Sequence, residues 1–114
     1  MGYGWDQLGT RSSEEEKRGS RHRLEKRPLD YFKMFYADTA LFGALAATQC
    51  GLAFFGADHV LFASDTPFEP QPGLYIRETI RVVESLGLGA VEKEKIYRGN
   101  AERLLGAGLK PSAG

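Results

Sequence analysis

The stretch Val60-Leu61-Phe62-Ala63-Ser64-Asp65-Thr66-Pro67-Phe68 constrains the fold more than any other part of the chain. Four apolar residues lead to an acid, and a proline two positions beyond it forces the backbone out of line. A short apolar run bounded by turn residues fits a strand buried on both faces of a parallel sheet. In α/β folds, groups that do chemistry stand where such a strand ends and its loop begins. Asp65 stands there.

The pattern has a precedent upstream. Met34-Phe35-Tyr36-Ala37 is a short strand candidate that ends at Asp38. The spacing of Leu41, Leu45, Thr48, Leu52 and Phe55 then predicts a helix over 39–55, stopped by Gly56. After the strand 60–63 comes a proline-rich loop, Phe68-Glu69-Pro70-Gln71-Pro72-Gly73. A second helix is expected over 74–86, with Ile76, Ile80, Val83 and Leu86 on its inner face and Gly87 as its stop. Residues 91–97 and 100–105 read as two short helices, Asn100 capping the second. The order strand, helix, strand, helix puts Asp38 and Asp65 at equivalent points of successive parallel βα units, an α/β arrangement. Two such units make a fragment of a sheet, not a closed one.

The chain has 114 residues, the size of one domain. Residues 1–27 form a charged N-terminal segment expected to be partly disordered, 28–106 the βαβα part, and 107–114 a flexible tail. Within the first segment Ser13 and Glu16 have capping-box spacing, and Pro28 suits the first turn of a helix over 28–32. Fifteen basic and fifteen acidic residues cancel. That balance argues against a nucleic-acid or anionic-membrane partner, either of which needs a positive excess. The longest apolar stretch, near residues 40–55, is broken by Gly43, Thr48, Gln49 and Gly51 and reads as a buried helix rather than a membrane span. The single cysteine, Cys50, lies in that stretch and reads as a buried reduced thiol of a cytoplasmic protein. The N-terminus has no basic region followed by an apolar core, so no secretory signal is expected.

Two readings of Asp65 stand at this level: a turn or cap residue in Ser-Asp-Thr-Pro, or a metal ligand or general base at a strand end. Asp38, before Thr39, has the same ambiguity, with an ordinary N-cap favoured. His22 lies between Arg21 and Arg23, where positive charge disfavours a metal. His59 precedes the second strand, and six residues of extended chain put it roughly 20 Å from Asp65, at the opposite end. A zinc-type centre needs three or four convergent ligands, and this chain offers one. There is no phosphate-binding glycine loop, nucleophile elbow or paired-cysteine motif. Arg77, Arg81 and Glu84, like the alternating charges at 92–95, read as solvated.

Four segments in order carry a resemblance over about residues 30–105. They are Tyr36-Ala37-Asp38-Thr39-Ala40-Leu41-Phe42-Gly43; residues 54–68, from Phe54-Phe55-Gly56 to Asp65-Thr66-Pro67-Phe68; Tyr75-Ile76-Arg77-Glu78-Thr79-Ile80; and residues 95–105, from Lys95-Ile96-Tyr97 to Leu104-Leu105. Together they resemble the C-terminal end of amidohydrolase-related proteins, in the aminocarboxymuconate-semialdehyde decarboxylase-like branch that includes γ-resorcylate decarboxylase. Gly4-Trp5-Asp6-Gln7-Leu8-Gly9 is similar to the family's segment after its sixth strand.

The resemblance implies the C-terminal portion of a TIM-type (β/α)8 barrel, its seventh and eighth strands, with a metal at the C-terminal face. Asp65 would bind that metal, zinc or manganese, or hold the activated water, and so act as a catalytic residue. Phe68 would line the pocket of a small carboxylate substrate, and Asp38 would be structural. The family's remaining ligands, an early His-x-His and a later histidine, and its catalytic histidine would precede residue 1. The expected function is that of a metal-dependent, non-oxidative decarboxylase or hydrolase, in a protein with room for homo-oligomers. The isolated chain is expected to be inactive. A non-catalytic remnant, or a module completing another barrel piece, is the alternative.

Overall fold

The computed structural model describes residues 25–106. The expected capping box at Ser13 and Glu16, His22, the segment at residues 4–9 and the tail lie outside the described residues. The chain divides into two compact units after Phe35. In the first unit, helix α1 spans Pro28–Phe32, with Pro28 in its first turn as expected. Arg27 and Asp30 pair across that turn through two hydrogen bonds of 2.9 and 2.8 Å. Met34 and Phe35 do not extend into a strand. Their amides donate back to the carbonyls of Tyr31 and Phe32, so the chain is still turning there.

In the second unit the strands β1, Ala37–Asp38, and β2, Val60–Leu61, pair in parallel, Ala37 beside Val60 and Asp38 beside Leu61. Parallel pairing was the expectation; the strands are shorter than the sequence suggested. Thr39 belongs to the ladder rather than to a helix, because its amide donates to the Leu61 carbonyl at 3.0 Å. The chain then turns through Phe42 and Gly43, both at positive φ, and helix α2 spans only Leu45–Phe55. Thr48 is its one buried residue, with Leu52 and Phe55 packed against the core. Cys50 is exposed, contrary to expectation. The helix is apolar on nearly all sides, so periodicity could not tell its inner face from its outer one.

The core gathers Val60 of β2, Val83 and Ile96, with Leu52, Phe55, Phe62, Leu88 and Tyr97 around it. Val83 comes from helix α3, Leu74–Ser85, which ends before Gly87 at φ 69°. Its buried face is Thr79, Val82 and Val83, while Ile76 and Ile80 are exposed. The sequence stripe was therefore rotated: two overlapping i, i+3, i+4 sets share Val83, and the one containing threonine faces inward.

After helix α4, Ala90–Glu94, the chain forms a π-helical turn, Lys95–Gly99, and continues into helix α5, Asn100–Leu105. In that turn the Asn100 amide donates to the Lys95 carbonyl, one residue farther back than in an α-helix. The Ile96 carbonyl is thereby released and accepts from the Phe62 amide at 2.9 Å. Asn100 is not the expected cap. Fully buried, it donates through Nδ2 to the carbonyls of Ala57 and Val60 at 2.6 and 2.8 Å. Lys95 pairs with Asp58 at 2.7 Å, and Arg103 donates to the Asp58 carbonyl. The C-terminal helical segment thus holds β2 at its start and just past its end. No helix among the described residues is long and apolar enough to cross a membrane.

Candidate active site

Two anchors fix the end of β2. Buried Thr39 reaches across from β1: its Oγ1 donates to the Ala63 carbonyl at 2.9 Å and accepts from the Ala63 amide at 3.0 Å. A side chain thus does the work of a further ladder residue and holds Ala63 in line. Asp38 turns the chain, its Oδ1 accepting from the Ala40 amide at 2.9 Å. It does not cap α2, which starts at Leu45. The register sets Asp38 beside Leu61, so Asp65 lies farther along its strand than Asp38 does along its own, and the two are not equivalent.

Asp65 follows the strand with φ at 66°. For most L-residues this left-handed backbone costs about 1–2 kcal/mol, and aspartate is among the few side chains that tolerate it. Its carbonyl accepts from the Phe68 amide at 3.0 Å. The side chain is exposed, and its carboxylate makes no hydrogen bond or ion pair within the structure described. The Thr66–Pro67 peptide bond is cis. Phe68 follows, 79% exposed, beside this turn.

The second anchor is Glu69, which the sequence reading did not single out. Its carboxylate accepts from the Gly73 amide at 2.6 Å, the Tyr75 amide at 2.7 Å and the Thr66 hydroxyl at 3.3 Å. The Tyr75 amide foremost, with the Gly73 amide and the Thr66 hydroxyl, holds this carboxylate below the usual glutamate range. No local signal gave it away: the Thr66 and Glu69 spacing of a capping box would open a helix at Pro67, whereas the helix that Glu69 serves starts at Leu74, beyond two more prolines. Phe42 and Tyr75 pack nearby with ring centroids 4.7 Å apart.

His59 stands before β2 and Asp65 after it, so they flank the strand at opposite ends. The imidazole stacks on Tyr36, centroids 4.4 Å apart and planes 8° from parallel. Among the described residues no three histidine, cysteine or acidic side chains converge as a metal would require. One unpaired carboxylate is what this end of the strand offers.

With that geometry in place, the sequence model of the amidohydrolase family (amidohydrolase 2) matches residues 1–107. The chain belongs to the amidohydrolase family. This member of the family is also similar to two crystal structures: 2,6-dihydroxybenzoate decarboxylase complexed with 2,6-dihydroxybenzoate, and 2,6-dihydroxybenzoate decarboxylase from Rhizobium. Each likeness has 25% identity and a TM-score of 0.63, covering 90% of this chain and 30% of the decarboxylase. No curated protein matches the chain. 2,6-Dihydroxybenzoate is γ-resorcylate, so the resemblance drawn from the four segments is borne out. The family fold is a TIM barrel, and two parallel strands with their helices are a piece of one. The chain spans about a third of the length of the decarboxylases it matches.

Proposed function

We propose that this amidohydrolase chain supplies the seventh and eighth βα units of a (β/α)8 barrel that decarboxylates a small carboxylated aromatic or muconate-type substrate without an oxidant. One observation carries the reading: an unpaired carboxylate, Asp65, held in a left-handed turn just past the end of a parallel strand. The likeness to 2,6-dihydroxybenzoate decarboxylases supports the substrate class. Asp65 gives one hard oxygen donor, suited to zinc or manganese, and such a site needs at least two more protein ligands. Those are not among the described residues, and no catalytic step is derived through the metal. What the chain brings is local. Phe68 presents a face on which a substrate ring can pack. Asp65, after taking a proton from water, can hand it to the ring carbon in place of the departing carbon dioxide and return to a carboxylate. Hydrolysis is the alternative chemistry at the same carboxylate.

For the chain by itself the expected result is no carbon dioxide release from 2,6-dihydroxybenzoate with zinc or manganese. Turnover that Asp65→Ala abolishes would overturn that expectation. The reading itself is tested by building this chain into a 2,6-dihydroxybenzoate decarboxylase in place of the matching segment. A folded chimera should decarboxylate, and lose at least about a hundredfold with Asp65→Ala, the order expected for a group acting at the reacting centre. A folded chimera indifferent to that substitution sinks it.

A second reading has its own observation. Leu45 and Phe42, like Cys50, leave apolar surface exposed around α2, as in a module that completes another barrel piece. Sedimentation discriminates here: a well-folded monomer with no affinity for a partner contradicts it.

A further inference from the structure

We propose that Glu69 is a positioning residue for Asp65: its carboxylate ties the Asp65 turn to the start of α3 and so sets where the Asp65 side chain stands. The inference rests on the reading of Asp65 as the site carboxylate. A left-handed non-glycine residue persists only where its surroundings over-determine it. Upstream, the Thr39 hydroxyl fixes Ala63. Downstream, the local bonds are few: the Phe68 amide on the Asp65 carbonyl, the Glu69 amide on the Pro67 carbonyl, and a long 3.4 Å contact from the Thr66 amide to Ser64 Oγ.

Glu69 supplies the missing constraint. Oε1 binds both the hydroxyl of Thr66, the residue after Asp65, and the Gly73 amide at the helix entrance; Oε2 binds the Tyr75 amide in its first turn. Hydrogen bonds to an ionised carboxylate are stronger than neutral ones, and a helix N-terminus favours the negative charge. Pro67, Pro70 and Pro72 fix three φ angles around Glu69, which narrows the loop's freedom to absorb a shift of its carboxylate by local twisting. Asp65 therefore hangs between two tied points, one on β1 and one on α3.

The test uses isotope-labelled chain and nuclear magnetic resonance. The three-bond coupling between amide and α protons, with the α-carbon shift, reports φ at Asp65. The unsubstituted chain should show the left-handed signature, and its absence overturns the proposal. Glu69→Ala should average that signature and speed amide exchange at Gly73 and Tyr75 by about tenfold or more, with Val83 and Ile96 amides unchanged. Glu69→Gln keeps one acceptor oxygen and should restore part of both. If Glu69→Ala unfolds the chain, Thr66→Val serves: it cuts only the link to the Asp65 turn, and should shift Asp65 while leaving Gly73 and Tyr75 exchange as it was. A left-handed Asp65 that survives either substitution, in a folded chain, reduces Glu69 to a helix cap and ends the proposal. None of these readouts needs a metal. The functional reading fails separately, if added Mn²⁺ broadens no Asp65 resonance in the active chimera.

Discussion

Asp65 shows how a residue can sit in a left-handed turn and add little to stability. Its φ of 66° is one that glycine adopts freely and β-branched residues resist. Urea unfolding should therefore find Asp65→Gly within about 1 kcal/mol of the unsubstituted chain, and Asp65→Val weaker by about 1–2 kcal/mol. Equal losses would mean the turn is not held. Asn100 is the opposite case. It is buried for its hydrogen bonds, and Asn100→Ala strands the carbonyls of Ala57 and Val60. A loss of about 2 kcal/mol or more is expected, against well under 1 kcal/mol for a replaceable cap. The turn at Asp65 was legible because its signal is local: an apolar run, an acid, a proline. Asn100 was misread because its partners lie 43 and 40 residues away in sequence, and a cap is what an asparagine before a helix ordinarily means.

Strands and helices were legible in kind and order, less so in extent. Thr39 moved from helix to ladder because a threonine hydroxyl can substitute for a strand partner, which no propensity records. The inner face of α3 was misjudged where a threonine and an isoleucine competed for it. Elements meet at Ile96, whose side chain is in the core while its carbonyl serves the chain beyond β2. Ile96→Ala should cost about 2–5 kcal/mol by cavity formation, read in urea.

Beside the core contact of Val83 with Ile96, polar groups also join α3 to the C-terminal segment. Glu84 accepts from Lys93 and from Tyr97 at 2.9 Å, and these, Lys93 first, hold its carboxyl below the ordinary range. Lys95 foremost does the same for Asp58. Carboxylates depressed by folding stabilise above their unfolded pKa and lose that contribution as pH falls through the folded value. Stability should therefore decline below about pH 4 to 4.5. Burial, then the bond to Glu84, pushes Tyr97 up from 10.0 to about 12. A raised tyrosine contributes below its unfolded pKa, so stability should fall again as pH rises from 10 towards 12. Tyr97→Phe should flatten that alkaline limb; an unchanged limb would assign it elsewhere.

At the scale of the molecule, the barrel was legible from four segments in order rather than from any periodicity, since two parallel strands alone fit many α/β folds. No three metal-ligating side chains converge among the described residues, so Asp65 alone should bind zinc weakly, and stabilisation follows ligand concentration over dissociation constant. About 1 mM zinc should therefore raise the melting temperature by no more than roughly 2 °C. A much larger rise in calorimetry would mean that further ligands reach Asp65 from outside residues 25–106. The π-helical turn at Lys95–Gly99 carries a consequence for how this protein can vary. Each residue advances a helix by about 100°, so the one surplus position in that turn sets the angular phase of everything after it. Removing a single residue there would return the Ile96 oxygen to its own helix and swing the Asn100 amide out of its slot. Sequence drift can change the exposed side chains of this segment, whereas a change of one or two residues in length would put the whole C-terminal screw out of step with the strand it grips.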